Sequence, residues 1–281
     1  MPPWGGYDSY TGPGGTTADG LIRQCSMLKV RSESLMAGYN EWHAKVWPEL
    51  QTQIRLSGAY NYSIFQRADG LLFLYMESNP ALSEAKDTNP DWESINAKWG
   101  ELMEPFLDPE FEFNGPLEHV MYMDADPIER SMDPVAPSTF PPSLAPNPPY
   151  GKYTETFTGG GGWTLDGRVR QAQQLKCRPD AASMAAYNEW HRKVWPELQV
   201  QGFEAGNRNY SIFQRKDGLL FLYGEVDTRM AAAATSTAEK VAVNEKWQTM
   251  MDEVGLDRNW EHNGPLEHVM YIGDDRTMVQ P

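Results

Sequence analysis

Two histidines, His43 and His191, each stand four residues after a tyrosine, Tyr39 and Tyr187, and shortly before a Trp-Pro-Glu run. Residues i and i+4 share one face of a helix, so each spacing sets a phenol and an imidazole side by side just ahead of a proline break. An imidazole titrates near neutrality, which suits it to carry protons at about pH 7. A packed helix histidine is the plain alternative. Its recurrence in the same setting weighs against that alternative, because a surface decoration has little reason to persist twice.

Other residues recur with them. Tyr62 and Tyr210, each preceded by asparagine at the start of an apolar run, offer a hydroxyl to a polar ligand or serve as strand aromatics. Trp99 and Trp247 read either as helix packing or as a platform for the apolar face of a sugar. Trp47 and Trp195, directly before proline, read as structural residues closing a kink. His119 and His268 alternate with Glu118 and Glu267. On a regular strand, period-two geometry sends His and Glu to opposite faces, and the sequence leaves open which of them meets a pocket. No close zinc-type ligand spacing is present, and no phosphate-cradling glycine loop precedes a helix. Gly159 to Gly162 precede a strand and read as a turn.

The positions of these residues follow from a duplication. Tyr39 to Leu50 return as Tyr187 to Leu198 with one change, Ala44 to Arg192. Asn61 to Arg67 match Asn209 to Arg215, Asp69 to Tyr75 match Asp217 to Tyr223, and Asn114 to Tyr122 match Asn263 to Tyr271. A Gly-rich aromatic head repeats as well: Trp4 and Tyr7 parallel Tyr150 and Tyr153. The expected organisation is a first repeat over residues 1–124, a Pro-rich linker over 125–147 and a second repeat over 148–281. The linker, with Pro134, Pro137, Pro141, Pro142 and Pro146, reads as a semi-extended spacer.

Each repeat spells the same order of elements. Residues 22–30 form a strand (168–177 in the second copy), 34–46 a helix broken before Pro48, and Pro48 opens a second helical piece that Gly58 ends. Residues 60–67 and 71–77 make a hairpin about Asp69-Gly70; 92–106 are helical and 117–123 a last strand. The sum is an α+β fold of two ferredoxin-like βαββαβ repeats. They are expected to pair as an intramolecular dimeric α+β barrel, with a pocket in each half.

Bulk properties narrow the function. A net charge of −15 over 281 residues lacks the basic footprint that nucleic acid or an anionic membrane requires. Cys25 aligns with Ala172 and Cys177 with Val30, so neither belongs to a paired framework and a reducing, cytoplasmic compartment is expected. No secretory signal is expected from the start of the chain, nor any membrane span from its apolar runs.

The blocks Tyr-x-x-x-His-x-x-x-Trp-Pro-Glu-Leu, Asn-Tyr-Ser-Ile-Phe, Gly-Leu-Leu and Asn-x-Lys-Trp, taken in that order with a late Met, resemble the L-rhamnose mutarotase family over nearly all of each repeat except the head. That resemblance implies cofactor-independent interconversion of the α and β anomers of L-rhamnose or a related 6-deoxy sugar, in a homodimeric barrel that a fused tandem would reproduce. It assigns proton donation to His43 and His191. It assigns sugar binding to Tyr39, Tyr187, Tyr62 and Tyr210, and places Trp99 and Trp247 along the site. His119 and His268 join the expected substrate-binding set. Three departures bear on the substrate. Gly100 and Gln248 stand where some members carry a second Trp, His119 and His268 stand where members carry Glu, and the head is additional. Trp4, Tyr7, Tyr10, Tyr150, Tyr153 and Phe157 are candidates for a lid over the barrel mouth or for an arm covering an edge.

The expected ligand is a small sugar or related polar metabolite, with no metal and no cofactor. The pseudo-dimer lies within one chain, and further oligomerisation stays open. Two other readings remain: an isomerase or cyclase acting on a non-sugar metabolite in the same barrel, and a non-catalytic small-ligand binding module.

Overall fold

The computed structural model describes residues 21–44, 46–80, 90–123, 168–192 and 194–272. The aromatic head, its repeat and the Pro-rich linker lie outside the described residues. In the first repeat the elements are β1 (Ile22–Lys29), α1 (Glu33–His43), α2 (Pro48–Leu56), β2 (Ala59–Gln66), β3 (Leu71–Ser78), α3 (Pro90–Met103), β4 (Gly115–Pro116) and β5 (Glu118–Met123). In the second they are β6 (Arg168–Lys176), α4 (Ala181–His191), α5 (Pro196–Glu204), β7 (Asn207–Gln214), β8 (Leu219–Asp227), α6 (Thr228–Ala233), α7 (Ala238–Glu253), β9 (Gly264–Pro265) and β10 (Glu267–Ile272). The fold is α+β, with two similar antiparallel five-stranded sheets, as the repeated pattern implies.

The sheets reveal something the repeats do not. Their strand orders are β10-β2-β3-β1-β4 and β5-β7-β8-β6-β9. Each repeat therefore gives its final long strand to the sheet of the other copy and keeps only a two-residue strand beside its own first strand. The compact units follow this exchange: of the described residues, those within 168–266 cluster with 117–123, and those within 21–116 with 267–272.

Local chemistry accounts for the elements. The β2–β3 turn ends on Gly70 (φ 88°) and the β7–β8 turn on Gly218 (φ 85°), a left-handed conformation in which glycine has no Cβ to clash. A Cβ on Gly218 would lie 2.2 Å from the Cys177 carbonyl oxygen. Asp69 completes its turn by accepting from Arg67 Nε (2.8 Å), Lys29 Nζ (3.0 Å) and the Leu71 amide (3.2 Å). Those donors hold its carboxyl well below the usual range, the Arg67 bond foremost.

Helices α1 and α4 stop at His43 and His191, earlier than the expected run to residue 46. Residues 46 and 47 run non-helically into the proline, and Gln51 Nε2 folds back to donate to the Val46 carbonyl at 2.9 Å. Gln199 makes the same bond to Val194 at 2.9 Å. Each bond gives a buried carbonyl at the helix break a side-chain donor.

In the second unit Ile212, Leu220 and Leu222 of the sheet pack with Tyr187, Trp247 and Met251 of the helices and with Val194 of the break between them. The first unit repeats this with Ile64, Leu72, Tyr39, Val46 and Met103. Cys25 and Cys177 are free and buried, and among the described residues no helix is long and apolar enough to cross a membrane.

Candidate active site

His43 and His191 are the last residues of their helices, 5% and 6% exposed. Each Nδ1 sits against the carbonyl of the tyrosine one turn earlier, at 2.9 Å from Tyr39 O and 2.8 Å from Tyr187 O. A carbonyl only accepts, so Nδ1 carries the proton and donates, and the neutral ring keeps its lone pair on Nε2. The early helix end thus fixes the tautomer. Burial lowers both imidazoles from the ordinary 6.5 to about 4, with the bond to the tyrosine carbonyl opposing in part. Near neutrality each Nε2 is therefore a proton acceptor, and becomes a donor only after taking one up.

Aromatic rings fix the imidazole from two sides. Tyr39 lies 4.0 Å from His43 and Tyr187 3.9 Å from His191, centroid to centroid, at about 30°. Trp99 and Trp247 meet the same imidazoles edge-on at 5.4 Å. Trp47 and Trp195 in turn pack edge-on against Trp99 (5.4 Å) and Trp247 (5.3 Å). The pre-proline tryptophans are thus structural, as expected, and what they hold is the tryptophan beside the histidine. Asn40 and Asn188 tether these helices to the sheets through Gln66 and Gln214, both at 3.1 Å.

In the second unit the histidine and the tryptophan beside it line a cavity of about 590 Å³, a volume suited to a small-molecule ligand. His191, Tyr210 and Trp247 line it together with Met121 and Met123 of β5. With Nδ1 committed to its own helix, the nitrogen left for a ligand is Nε2. Burial raises the Tyr210 phenol and pushes Tyr62 up to about 12, so both remain protonated donors. Four amides, Gln201, Asn207, Asn244 and Gln248, also line it, with Thr235, Ser236 and Lys240.

A β-bulge brings two of these residues together. Arg208 pairs with Glu225 and Ser211 with Tyr223, so Asn209 and Tyr210 share the single residue Gly224 on β8. Asn209 takes a left-handed φ of 50°, and Asn61 one of 49° in the matching bulge of β2. Each asparagine donates from Nδ2 to a buried carboxylate on the neighbouring strand, Glu225 Oε1 or Glu77 Oε1, both at 2.8 Å. Regular alternation would put residues 207 and 210 on opposite faces; the extra residue lets both reach the cavity.

Tyr39 and Tyr187 do not themselves line a described cavity. They sit behind the histidines, 2% exposed, as supports.

His119 and His268 are not brought to the site. Each stacks on a strand phenylalanine, His119 on Phe213 at 4.7 Å and His268 on Phe65 at 4.6 Å. Phe213 in turn contacts Phe221, on the sheet face away from the helices. A second pair of bulges is the cause. His119 pairs with Phe213 and Met121 with Ile212, so Val120 is extra, and Val269 is extra in the same way in β10. The phase slips, Met121 turns to the cavity, and the histidine turns away. His268 Nε2 donates to the Met270 carbonyl at 2.9 Å.

The amides were missed for a different reason. Asn244 was findable, one helical turn before Trp247 and matched by Asn96 before Trp99. Asn207 and Gln248 were not, because their counterparts are Ala59 and Gly100 and a search for twins discards them. Among the described residues no group of three or more His, Cys, Asp or Glu is placed to hold a metal ion.

The chain is similar in sequence to a known family. A model of the L-rhamnose mutarotase family matches residues 23–125 and again 168–271. An L-rhamnose mutarotase of Lactiplantibacillus plantarum is 36% identical over 93 residues, covering 31% of this chain and 84% of that protein. One from Shouchella clausii is 29% identical over 102 residues, covering 35% and 91%. One from Bacillus subtilis is 28% identical over 108 residues, covering 37% and 100%. Among solved structures, a putative monooxygenase from Fusobacterium nucleatum aligns over 90% of this chain and 92% of that one, at 7% identity and a TM-score of 0.43, a likeness too slight to bear on function.

Proposed function

The chain belongs to the L-rhamnose mutarotase family, and from that premise we propose that it interconverts the α and β anomers of L-rhamnose or a close 6-deoxy relative, with a histidine in each unit as the proton carrier. The observation that carries the reading is the neutral His191, its tautomer fixed through Nδ1, in one cavity with a phenol donor and an indole. That is the set a pyranose needs: a base for the anomeric hydroxyl, a donor for developing oxyanion charge, and an apolar wall for the ring C–H face.

The steps balance within the sugar and one imidazole. Nε2 takes the proton of the anomeric hydroxyl as the C1–O5 bond breaks. The hydroxyl oxygen's electrons form the aldehyde, and the C1–O5 pair passes to the ring oxygen. The imidazolium then protonates that oxygen, and this is how the proton-donor role implied by the resemblance is met. Rotation about C1–C2 and the reverse sequence close the ring on the other face. Tyr210 donates a hydrogen bond throughout and stays neutral, and no redox or group-transfer partner takes part. A positioned acid/base of this kind supplies ~10²–10⁴-fold. The amides around the rim favour a polyhydroxylated ligand over an apolar metabolite. The buried free cysteines suit a reducing cytoplasm.

Anomer exchange of L-rhamnose, followed by NMR saturation transfer, tests the proposal. Catalysed exchange should persist in each single variant, His43→Ala and His191→Ala, and vanish in the double. Exchange that survives in the double variant, with the fold intact by circular dichroism, would assign the chemistry to other residues.

A further inference from the structure

Two amides of the second-unit cavity, Gln201 of α5 and Asn244 of α7, have their orientation fixed by their neighbours. Asn244 stands one helical turn before Trp247, on the same helix face. Its Nδ2 lies 2.9 Å from the Lys240 carbonyl oxygen and 2.6 Å from Gln201 Oε1. A carbonyl only accepts, so the Asn244 atom beside Lys240 is the nitrogen, and its two hydrogens are spent on these two bonds. Gln201 is fixed in turn: its oxygen accepts from Asn244, which leaves its nitrogen to donate elsewhere. What remains is one acceptor, Asn244 Oδ1, and one donor group, Gln201 Nε2. Neither has a hydrogen-bond partner among the described residues.

The polar groups beside this pair are engaged. The Lys240 ammonium is met by Glu204 at 2.7 Å and by the Thr235 carbonyl at 3.0 Å, and Gln248 Oε1 accepts from Arg258. With the lysine charge answered inside the protein, the pair suits a neutral group that both donates and accepts. A hydroxyl does both, whereas an ionised carboxylate only accepts. The same residue types recur at the matching positions of the first repeat, Gln53 and Asn96.

We propose that Gln201 and Asn244 are specificity-determining residues of the second-unit site, reading a ring hydroxyl of the sugar that donates to Asn244 Oδ1 and accepts from Gln201 Nε2. The inference rests on the mutarotase reading and adds to it the residues that tell a hydroxylated ring carbon from a deoxygenated one. Neither amide takes part in proton transfer, so each contributes binding that is the same in the ground and transition states. Removing either should raise KM and leave kcat nearly unchanged.

Anomer exchange in the His43→Ala protein, where only the second-unit site works, tests this on L-rhamnose and its 2-deoxy, 3-deoxy and 4-deoxy analogues. Adding Gln201→Ala or Asn244→Ala should lower kcat/KM on L-rhamnose by about three- to tenfold. On the analogue that lacks the hydroxyl being read, the same variants should cause no further loss, and that analogue identifies the ring position. Both side chains reach solvent, so the variants should fold, which circular dichroism checks. The contact between Gln201 and Asn244 also ties α5 to α7, and a purely structural role for it predicts equal slowing on all four sugars. Equal slowing, or no change on any sugar, overturns the inference and leaves the mutarotase assignment in place. Absence of exchange on L-rhamnose in the intact protein removes both.

Discussion

With their pKa brought down to about 4 by burial, His43 and His191 stay neutral over the whole range in which exposed histidines titrate, and this has two consequences. Exchange should hold level from about pH 7 to pH 5 and fall only as pH drops through about 4, where Nε2 loses its lone pair. A pH profile of kcat/KM breaking near 6.5 would contradict the buried, accepting imidazole. Stability should respond in the same direction. The unfolded chain protonates these histidines below about pH 6.5 while the folded chain resists until about 4. Stability is therefore lost as pH falls between those values, on the order of 3 kcal/mol per histidine. Urea midpoints of the wild type and of His43→Gln/His191→Gln, taken at pH 7 and pH 4.5, should differ in that slope. Asn209 makes a second prediction at this scale. Asn209→Ala must hold φ near 50° at a strain cost of roughly 1–2 kcal/mol. Asn209→Gly keeps the backbone conformation and loses the bond to Glu225. The alanine variant should melt lower and lose more exchange activity, and matching melting points would show that the backbone conformation matters little.

Among the elements, the helix break before Pro48 and Pro196 does the most for the site. It ends the helix at the histidine, frees the tyrosine carbonyl for Nδ1, and turns Trp47 and Trp195 back onto Trp99 and Trp247. Gln51 and Gln199 brace the break. Gln199→Ala leaves the buried Val194 carbonyl without this donor and should cost about 1–3 kcal/mol, read as a shift in urea midpoint with an unchanged m-value. The hairpins, the proline break and the tyrosine-histidine face were legible in the sequence because turn chemistry and helical spacing are local. The bulges at Asn61, Asn209, Val120 and Val269 were not. Nothing in Glu-His-Val-Met-Tyr marks Val120 as the residue without a partner opposite, since a bulge is a property of two strands together. That one slip of phase sent His119 and His268, members of the expected substrate-binding set, away from the cavity.

At the level of the molecule, the exchange of final strands makes each unit depend on both repeats. Val120, Met121 and Met123 reach the second unit from the first repeat, and Val269 and Met270 reach the first unit from the second. A chain ending at Leu266 would lack β10 and leave the β2 edge unpaired. Its first-unit site should fail while its second-unit site, with every strand present, keeps working. Exchange by this truncated chain should then vanish on adding His191→Ala and be little changed by His43→Ala. A first repeat made alone, residues 1–124, has a strand to give and an edge to fill. It should run as a dimer in size-exclusion chromatography with light scattering, and a stable monomer would argue against the exchange.

The sequence by itself determined the duplication, the α+β order of elements, the pairing of Tyr39 with His43 and Tyr187 with His191, and membership of a sugar-mutarotase family. All of these are written in short-range spacing and in the agreement of two copies. Tertiary structure decided which nitrogen of the histidine is free, which strands belong to which sheet, and which face His119 presents. Those outcomes depend on partners brought together from distant parts of the chain, and local propensity carries no record of what a side chain will meet there.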